Sequence, residues 1–213
     1  MKTAELFWNV IGDYNQSTVA INIIFSTVTI GILLYAQYRQ GVGVSRLMKL
    51  WFGIESLYIA VVFFFIHDGS GTALLLGGPL FIIISALLIL DSMKPAVMRR
   101  ANPVEIVLYS VISLYPMFSF ILGHEYPRMV LPLMPCPLVS YILVTYTRYE
   151  KRNLILELLL VFWAVTGLPK AVIFNVPEDI ILFLAGIYFI VFRYIEYKKK
   201  CREQITGTGG FER

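Results

Sequence analysis

Long apolar stretches, each about twenty residues in length, follow one another along this chain with only short connections between them. Lipid offers no hydrogen-bond partner to a free backbone amide, so stretches that cross a bilayer in this way must be helical. We therefore predict an all-α integral membrane protein, a bundle of seven transmembrane helices. The predicted spans are 17–38, 49–67, 72–91, 104–123, 129–147, 153–169 and 178–194, within a single transmembrane domain, 1–200.

The composition excludes the water-soluble classes of protein. Of the 213 residues, 58% are hydrophobic and only 15% are charged, whereas a soluble domain has roughly 45–50% apolar and about 25% charged residues. We expect a multi-pass protein of the plasma membrane, a bacterial or archaeal inner membrane, with the lipid bilayer as its first partner. In such a protein the net charge of +4 reports orientation, so we expect no nucleic-acid partner.

The basic residues predict the orientation of the bundle. Fifteen of the 18 Lys and Arg residues fall on one side when the predicted spans are threaded back and forth, and the other three are Lys2, Arg128 and Lys170. Because cytoplasmic loops carry the excess of positive charge, the N-terminus is predicted outside. The C-terminus is predicted in the cytoplasm, with a flexible tail at 201–213. Basic connections alternate with non-basic ones from span to span, and this alternation supports the count of seven spans.

Prolines and glycines interrupt three of the predicted helices. Pro132, Pro135 and Pro137 crowd the fifth span, and an interior proline removes a backbone hydrogen bond and clashes with the preceding turn. The fifth helix is therefore predicted to be broken, either as a re-entrant or cavity-lining segment or as a kinked helix stabilised by its neighbours. Similar interruptions are predicted at 77–79 in the third span and at Pro116 in the fourth.

The predicted outer side is polar and acidic, with six acidic and three basic residues. A negative mouth of this kind attracts cations. On the same side, the apolar residues between Leu6 and Ile11 predict a short amphipathic helix lying on the outer surface.

Four short motifs on this side carry a resemblance to a known family. They are Tyr14-Asn15, the L-G-H-E-Y-P run at 122–127, the P-C-P run at 135–137 and the V-P-E-D run at 176–179. The chain resembles an uncharacterised family of small bacterial polytopic membrane proteins, a domain of unknown function, whose pattern has these motifs in this order. The resemblance implies no activity. It implies that five residues form one constellation: His124, Tyr126, Cys136, Glu178 and Asp179.

This constellation has a metal-binding interpretation. His124, Cys136 and a carboxylate from Glu178 or Asp179 are the ligand types that Zn²⁺ or copper prefers, so a divalent transition metal is a candidate cofactor. The alternative for Cys136 is a small buried hydrophobe.

The same residues also have structural interpretations. Pro177, Glu178 and Asp179 are typical of a helix N-terminus, where proline fits and acids complement the dipole. His124 is then an interfacial hydrogen-bonding residue, and Tyr126 belongs to an aromatic belt.

Two acids lie within spans near the predicted cytoplasmic side, Glu55 and Glu157. An acid inside a span is by default a functional hypothesis, so both are candidates for proton coupling. The alternative is a local ion pair, of Glu55 with Lys49 or of Glu157 with Arg152.

Several enzyme classes are excluded by missing residues. No HExxH motif occurs, the last span has no lysine before Lys198, and the only two cysteines, Cys136 and Cys201, lie on opposite predicted sides. Three hypotheses stay open. The first is an outward-facing site that binds or transports a small cation or polar solute. The second is a non-catalytic membrane subunit or scaffold, with partner subunits or as a homo-oligomer. The third is an intramembrane enzyme with Cys136 as nucleophile and His124 as base.

Overall fold

The computed structural model describes residues 2–205, with side chains described for 4–202, and helices joined by non-helical connections make up this part of the chain. Within that part, strand pairing is limited to a single antiparallel bridge between Met98 and Tyr149. The all-α prediction is therefore confirmed. The elements are α1 (Lys2–Tyr38), α2 (Val42–Tyr58), a π-helical segment (Ile59–Asp68), a π-helical turn (Ala73–Gly77), α3 (Gly78–Ser92), α4 (Pro103–Ser113), α5 (Tyr115–Ile121), α6 (Pro135–Tyr146), α7 (Leu154–Val165), α8 (Gly167–Ile173), a 3₁₀ turn (Pro177–Asp179) and α9 (Ile180–Ile205).

Several helical stretches are long and apolar enough to cross a membrane, which is compatible with a multi-pass membrane protein. The described residues contain five of them: Ala4–Tyr38, Val42–Asp68, Ala73–Ser92, Leu154–Ile173 and Pro177–Arg202. The pair α4 and α5, which is bent by 55°, makes a sixth if it forms one span. The helix at the fifth predicted span, α6, has only 12 residues and is about 18 Å long.

The connections gather at two ends of the bundle. The basic end holds the connections 39–41, 93–102 and 147–153. The proline-rich end holds the connections 69–72, 122–134 and 174–176, together with the N-terminal half of α1, whose Trp8 bonds to Phe174 and whose Asn15 bonds to Pro127.

The start of α1 corrects one prediction. No separate surface helix exists at 6–11, because α1 runs without a break from Lys2 to Tyr38. Trp8 and Ile11 are 7% and 1% exposed, so they pack against the proline-rich end, whereas Leu6 is 65% exposed.

The glycines of the third predicted span do not end a helix. The chain passes from the π-helical turn directly into α3, with Pro79 in the first turn of α3, where proline is tolerated. A Cβ atom added to Gly77 would lie 2.5 Å from the Phe64 ring, and one added to Gly78 would lie 2.2 Å from the Phe65 ring. These glycines therefore let two aromatic rings approach the backbone. Pro116, by contrast, follows the bend between α4 and α5 as predicted.

Helix α6 is the centre of the bundle, and it is shortened where the sequence predicts a break. Pro135 and Pro137 occupy its first turn, where the backbone N–H groups have no intrahelical acceptor to lose. Pro132 lies before it in non-helical chain. Every residue of α6 except Cys136 is buried, because α2, α4, α7 and α9 surround it.

Buried ion pairs hold the basic end together. Lys49 pairs with Asp91 at 2.7 Å, and both side chains are almost fully buried. Glu105, which is 0% exposed, pairs with Arg99 at 2.5 Å and accepts hydrogen bonds from the hydroxyls of Thr147 and Tyr188. This network ties the connections before α4 and after α6 to α9.

The last helix continues beyond the predicted transmembrane domain. Helix α9 includes residues 201–205, which the sequence analysis assigned to the flexible tail. The remainder of that predicted tail, 206–213, lies outside the described residues.

Candidate functional site

The non-helical connection 122–134 forms one wall of the proline-rich end, and polar side chains of α1 hold its backbone. The Asn15 amide donates to the carbonyls of Pro127 and Met129, both at 2.7 Å. The Tyr14 hydroxyl donates to the carbonyl of Leu133 at 2.7 Å. Buried backbone carbonyls need such donors when no helix supplies them, so the Tyr-Asn motif acts as the support of this connection.

A pocket of about 460 Å³ opens beside this connection. Its walls come from the start of α1, the two π-helical segments, the connection 122–134, α6, α7 and α8. The lining is mostly apolar and aromatic, and four of its aromatic residues are Phe7, Phe63, Phe64 and Phe162. Phe7 also stacks on Phe174 with ring centroids 4.7 Å apart, so the first turns of α1 complete the wall next to α8.

Three side chains from different helices meet at the polar wall of this pocket. The thiol of Cys136 at the start of α6 donates to the Asp179 carboxylate at 3.1 Å. The ammonium of Lys170 in α8 lies 3.9 Å from the same sulfur and 3.6 Å from the centroid of the Trp163 ring. The indole N–H of Trp163 is buried next to the Cys136 thiol and has no oxygen or nitrogen acceptor among the described residues.

Local backbone geometry brings α8 and the 3₁₀ turn this close. Helix α7 ends at Val165 and α8 begins at Gly167. A Cβ atom added to Gly167 would lie 2.8 Å from the backbone oxygen of Asp179. Glycine is therefore required at this contact, which sets Lys170, one turn further along α8, opposite Asp179.

Glu178 has a different neighbourhood from Asp179, although the two are adjacent in sequence. Glu178 is 3% exposed and accepts a hydrogen bond from the Ser119 hydroxyl at 2.6 Å. Ser119 in turn accepts a hydrogen bond from the backbone N–H of Val130. Glu178 thus joins the start of α9 to α5 and to the connection 122–134, and it does not line the pocket. Pro177 occupies the first position of the 3₁₀ turn, as the helix-start interpretation expects.

His124 and Tyr126 belong to a second, open depression at the same end. It has a volume of about 440 Å³ and is also lined by Glu5, Trp8 and Arg128. The His124 ring stacks on Trp8 with centroids 4.0 Å apart, and the half-exposed Tyr126 donates to the carbonyl of Asn15 at 3.4 Å. The predicted constellation therefore divides into Cys136 with Asp179, Glu178 with Ser119, and His124 with Tyr126.

The structure gives the predicted metal site no support. Within residues 4–202, no three His, Cys, Asp or Glu side chains come together in a way that could hold a metal ion. The Lys170 ammonium beside Cys136 and Asp179 is a second argument against a metal, because it would repel a cation bound to that thiol and carboxylate.

The two acids that the sequence predicts to lie within spans have opposite surroundings. Glu157 pairs with Arg152 at 3.2 Å and with Arg193 at 3.3 Å, and Glu196 also bonds to Arg152. Burial lowers the pKa of the Arg152 guanidinium, while Glu196 and Glu157 oppose that shift. The local-pair interpretation therefore describes Glu157. Glu55 does not pair with Lys49, and its carboxylate instead accepts the Thr29 hydroxyl at 2.5 Å.

Lys170 and Trp163 are the site residues that the sequence analysis missed. Lys170 was recognised only as one of three bases outside the positive side, and no role was predicted for Trp163. A signal was present, because Lys170 is the only basic residue in the connection between the last two predicted spans. Its partner Asp179, however, is brought to it only by the contact at Gly167.

Long apolar helices around a buried central helix, with an aromatic pocket at one end, define a helical protein compatible with multi-pass membrane insertion. Comparison with protein families identifies its family. The chain belongs to the family of unknown function DUF6064, whose model matches residues 4–204. The resemblance drawn from the four motifs is confirmed and extends over nearly the whole chain. No curated protein and no solved structure matches it.

Proposed function

We propose that this protein binds an amphipathic small molecule in the pocket at the proline-rich end of a multi-pass membrane domain. The observation that carries the proposal is the position of Lys170. Its ammonium lies at the polar wall of a largely apolar cavity, against Trp163 and Cys136. It makes no direct ion pair with a carboxylate of the described residues, although the Asp179 carboxylate is close enough to attract it.

The chemistry of the lining determines the class of ligand. A lysine ammonium and a buried indole N–H are both hydrogen-bond donors, so the polar group of the ligand carries an acceptor oxygen. The phenylalanine rings accommodate an apolar body, and a volume of about 460 Å³ is typical of a small-molecule pocket. A small cation fits less well, because it would meet the Lys170 ammonium at the polar wall, where the Asp179 carboxylate already accepts the Cys136 thiol.

The proposal includes the orientation of the chain. Fifteen of the 18 Lys and Arg residues fall on one side of the predicted spans, the side of the basic end, which favours a cytoplasmic basic end and an outward-facing pocket in a bacterial or archaeal inner membrane. A seventh crossing is then made by α6 together with the chain at 129–134. Irregular backbone is tolerated at membrane depth where protein encloses it, and Val130, Leu133 and Met134 are each at most 3% exposed.

The binding proposal agrees better with the geometry than a thiol enzyme does. Cys136 donates to Asp179, and His124, the proposed base, stacks on Trp8 in the other depression. A scaffold role is supported by Tyr14, Asn15 and Glu178, which hold backbone and helices in place. Their role explains the motifs, but it does not explain why the Lys170 ammonium lies at the polar wall of an apolar pocket.

Thermal unfolding in lipid nanodiscs tests the proposal with three probes of equal chain length: decanoate, decanol and decyltrimethylammonium. A ligand that binds the folded state raises the unfolding temperature in proportion to ln(1 + [L]/Kd). We expect decanoate to stabilise the wild type most and the quaternary ammonium least. Lys170→Met keeps the apolar stem but removes the donor, so it should weaken decanoate binding at least tenfold.

Lys198→Met is the matched control, because Lys198 also lies over an aromatic ring, that of Tyr194, but at the other end of the molecule. It should leave decanoate binding unchanged. Equal stabilisation of wild type and Lys170→Met by decanoate would refute the proposed site.

A further inference from the structure

Glu55 occupies a second polar site, inside the bundle and away from the ligand pocket. It lies in α2 and is 3% exposed. One carboxylate oxygen accepts the Thr29 hydroxyl at 2.5 Å, and Thr29 accepts the indole N–H of Trp51 at 2.7 Å. The other oxygen, Oε2, is buried and has no hydrogen-bond partner among the described residues.

A small closed cavity adjoins this carboxyl group. Its volume is about 10 Å³, close to the minimum that holds a single water molecule. Hydroxyl groups of Ser26, Thr29 and Tyr141 line it together with Glu55, and non-helical chain at Pro132 and Leu133 closes it. A water there would lie among four polar side chains, of which Glu55 offers the one oxygen that has no other hydrogen-bond partner among the described residues.

No basic side chain among the described residues pairs with Glu55. The titratable groups that face it are phenols: Tyr14 on α1, Tyr58 one turn along α2, and Tyr141 on α6. Tyr14 donates to the Leu133 carbonyl, and Tyr141 bonds to Ser113. An uncompensated carboxylate in such a place is costly, because neither water nor a counter-ion stabilises the charge.

Glu157 shows the contrast within the same chain. It is similarly buried, at 5% exposure, but it has Arg152 and Arg193 within 3.3 Å. Its negative charge is compensated, whereas that of Glu55 would not be.

From these observations we infer that Glu55 is a proton-binding site within the membrane part of the protein, occupied at neutral pH and hydrogen-bonded to one water in the adjacent cavity. The proton resides on Oε2 and donates to that water. The inference is independent of the ligand pocket, since none of the groups that surround Glu55 lines that pocket.

Infrared spectroscopy of the purified full chain in nanodiscs at pH 7 tests the inference. A protonated carboxylic acid has a C=O stretching band distinct from that of a carboxylate. We expect this band in the wild type, a loss of about one carboxyl group's intensity in Glu55→Gln, and no loss in Glu157→Gln, the matched buried but paired acid. Unchanged intensity in Glu55→Gln overturns the inference.

A second measurement keeps the inference testable if Glu55→Gln fails to fold. Dicyclohexylcarbodiimide, an apolar reagent, adds to protonated carboxyl groups in membranes, and peptide mapping of the treated wild type locates the adduct. We expect modification at Glu55 and none at Glu157. An unmodified Glu55 under conditions that modify other buried acids contradicts the inference.

Discussion

Two polar side chains in α1, Tyr14 and Asn15, support a stretch of chain that has no helix of its own. Both are 0% exposed, and each donates to backbone carbonyls more than 110 residues away in sequence. In a bilayer these carbonyls have no water to replace a missing donor. The support also reaches the ligand pocket, because Val130 and Met134 on the same stretch line its wall.

Asn15→Ala is a small substitution, but it should destabilise the protein strongly. The two carbonyls that accept from Asn15 would lose their donor, and a buried group left unpaired costs about 1–3 kcal/mol. We expect a loss of at least about 2 kcal/mol in the free energy of unfolding by SDS, followed by circular dichroism. Ser110→Ala is the control, since the Ser110 hydroxyl bonds only to the carbonyl of Ile106 in its own helix. Equal stability of both variants would show that Asn15 is not a support.

At the scale of elements, the approach of α8 to the 3₁₀ turn builds the polar wall of the pocket. Gly167 at the start of α8 touches the Asp179 backbone and the side chain of Leu182. The Asp179 backbone cannot rotate away as a side chain can. Any atom added to Gly167 must therefore separate α8 from the 3₁₀ turn.

Gly167→Ala should consequently impair both stability and binding. The new methyl group would lie 2.8 Å from the Asp179 oxygen, and overpacking of this kind costs about 1–3 kcal/mol. Displacing α8 also moves Lys170 away from Cys136, so the stabilisation of the variant by decanoate should fall. Gly31→Ala is the control: the added atom meets nothing within 4 Å, and alanine favours the helix by about 1 kcal/mol. If decanoate stabilises both variants equally, the contact does not position the site.

The same elements show what could and could not be predicted from the sequence. Apolar length and the spacing of charged connections predict helices, and all seven predicted spans contain helix. The roles of Gly77 and Gly78 could not be predicted. The sequence does not distinguish a glycine that ends a helix from a glycine that makes room for a phenylalanine ring. Lys170 and Asp179 are likewise joined only by the packing of α8 on the 3₁₀ turn.

At the scale of the whole molecule, the two ends differ in how they are held together. The basic end is closed by ion pairs such as the buried pair of Lys49 with Asp91 and the partly buried pair of Arg99 with Glu105. The proline-rich end relies on hydrogen bonds from α1 and on aromatic contacts, and it encloses the pocket. In the proposed orientation the basic end is the cytoplasmic side and the pocket opens on the outer side.

Cysteine labelling in intact bacterial cells tests that orientation. In a chain carrying Cys136→Ser and Cys201→Ser, single cysteines are introduced by Glu125→Cys at the proline-rich end and Lys94→Cys at the basic end, both exposed positions. A membrane-impermeant maleimide should label the first in intact cells and the second only after the cells are permeabilised. The alternation of basic residues across the bundle is the physical reason. Labelling of Lys94→Cys alone in intact cells would place the basic end outside and reverse the orientation, and with it the side from which a ligand reaches Lys170.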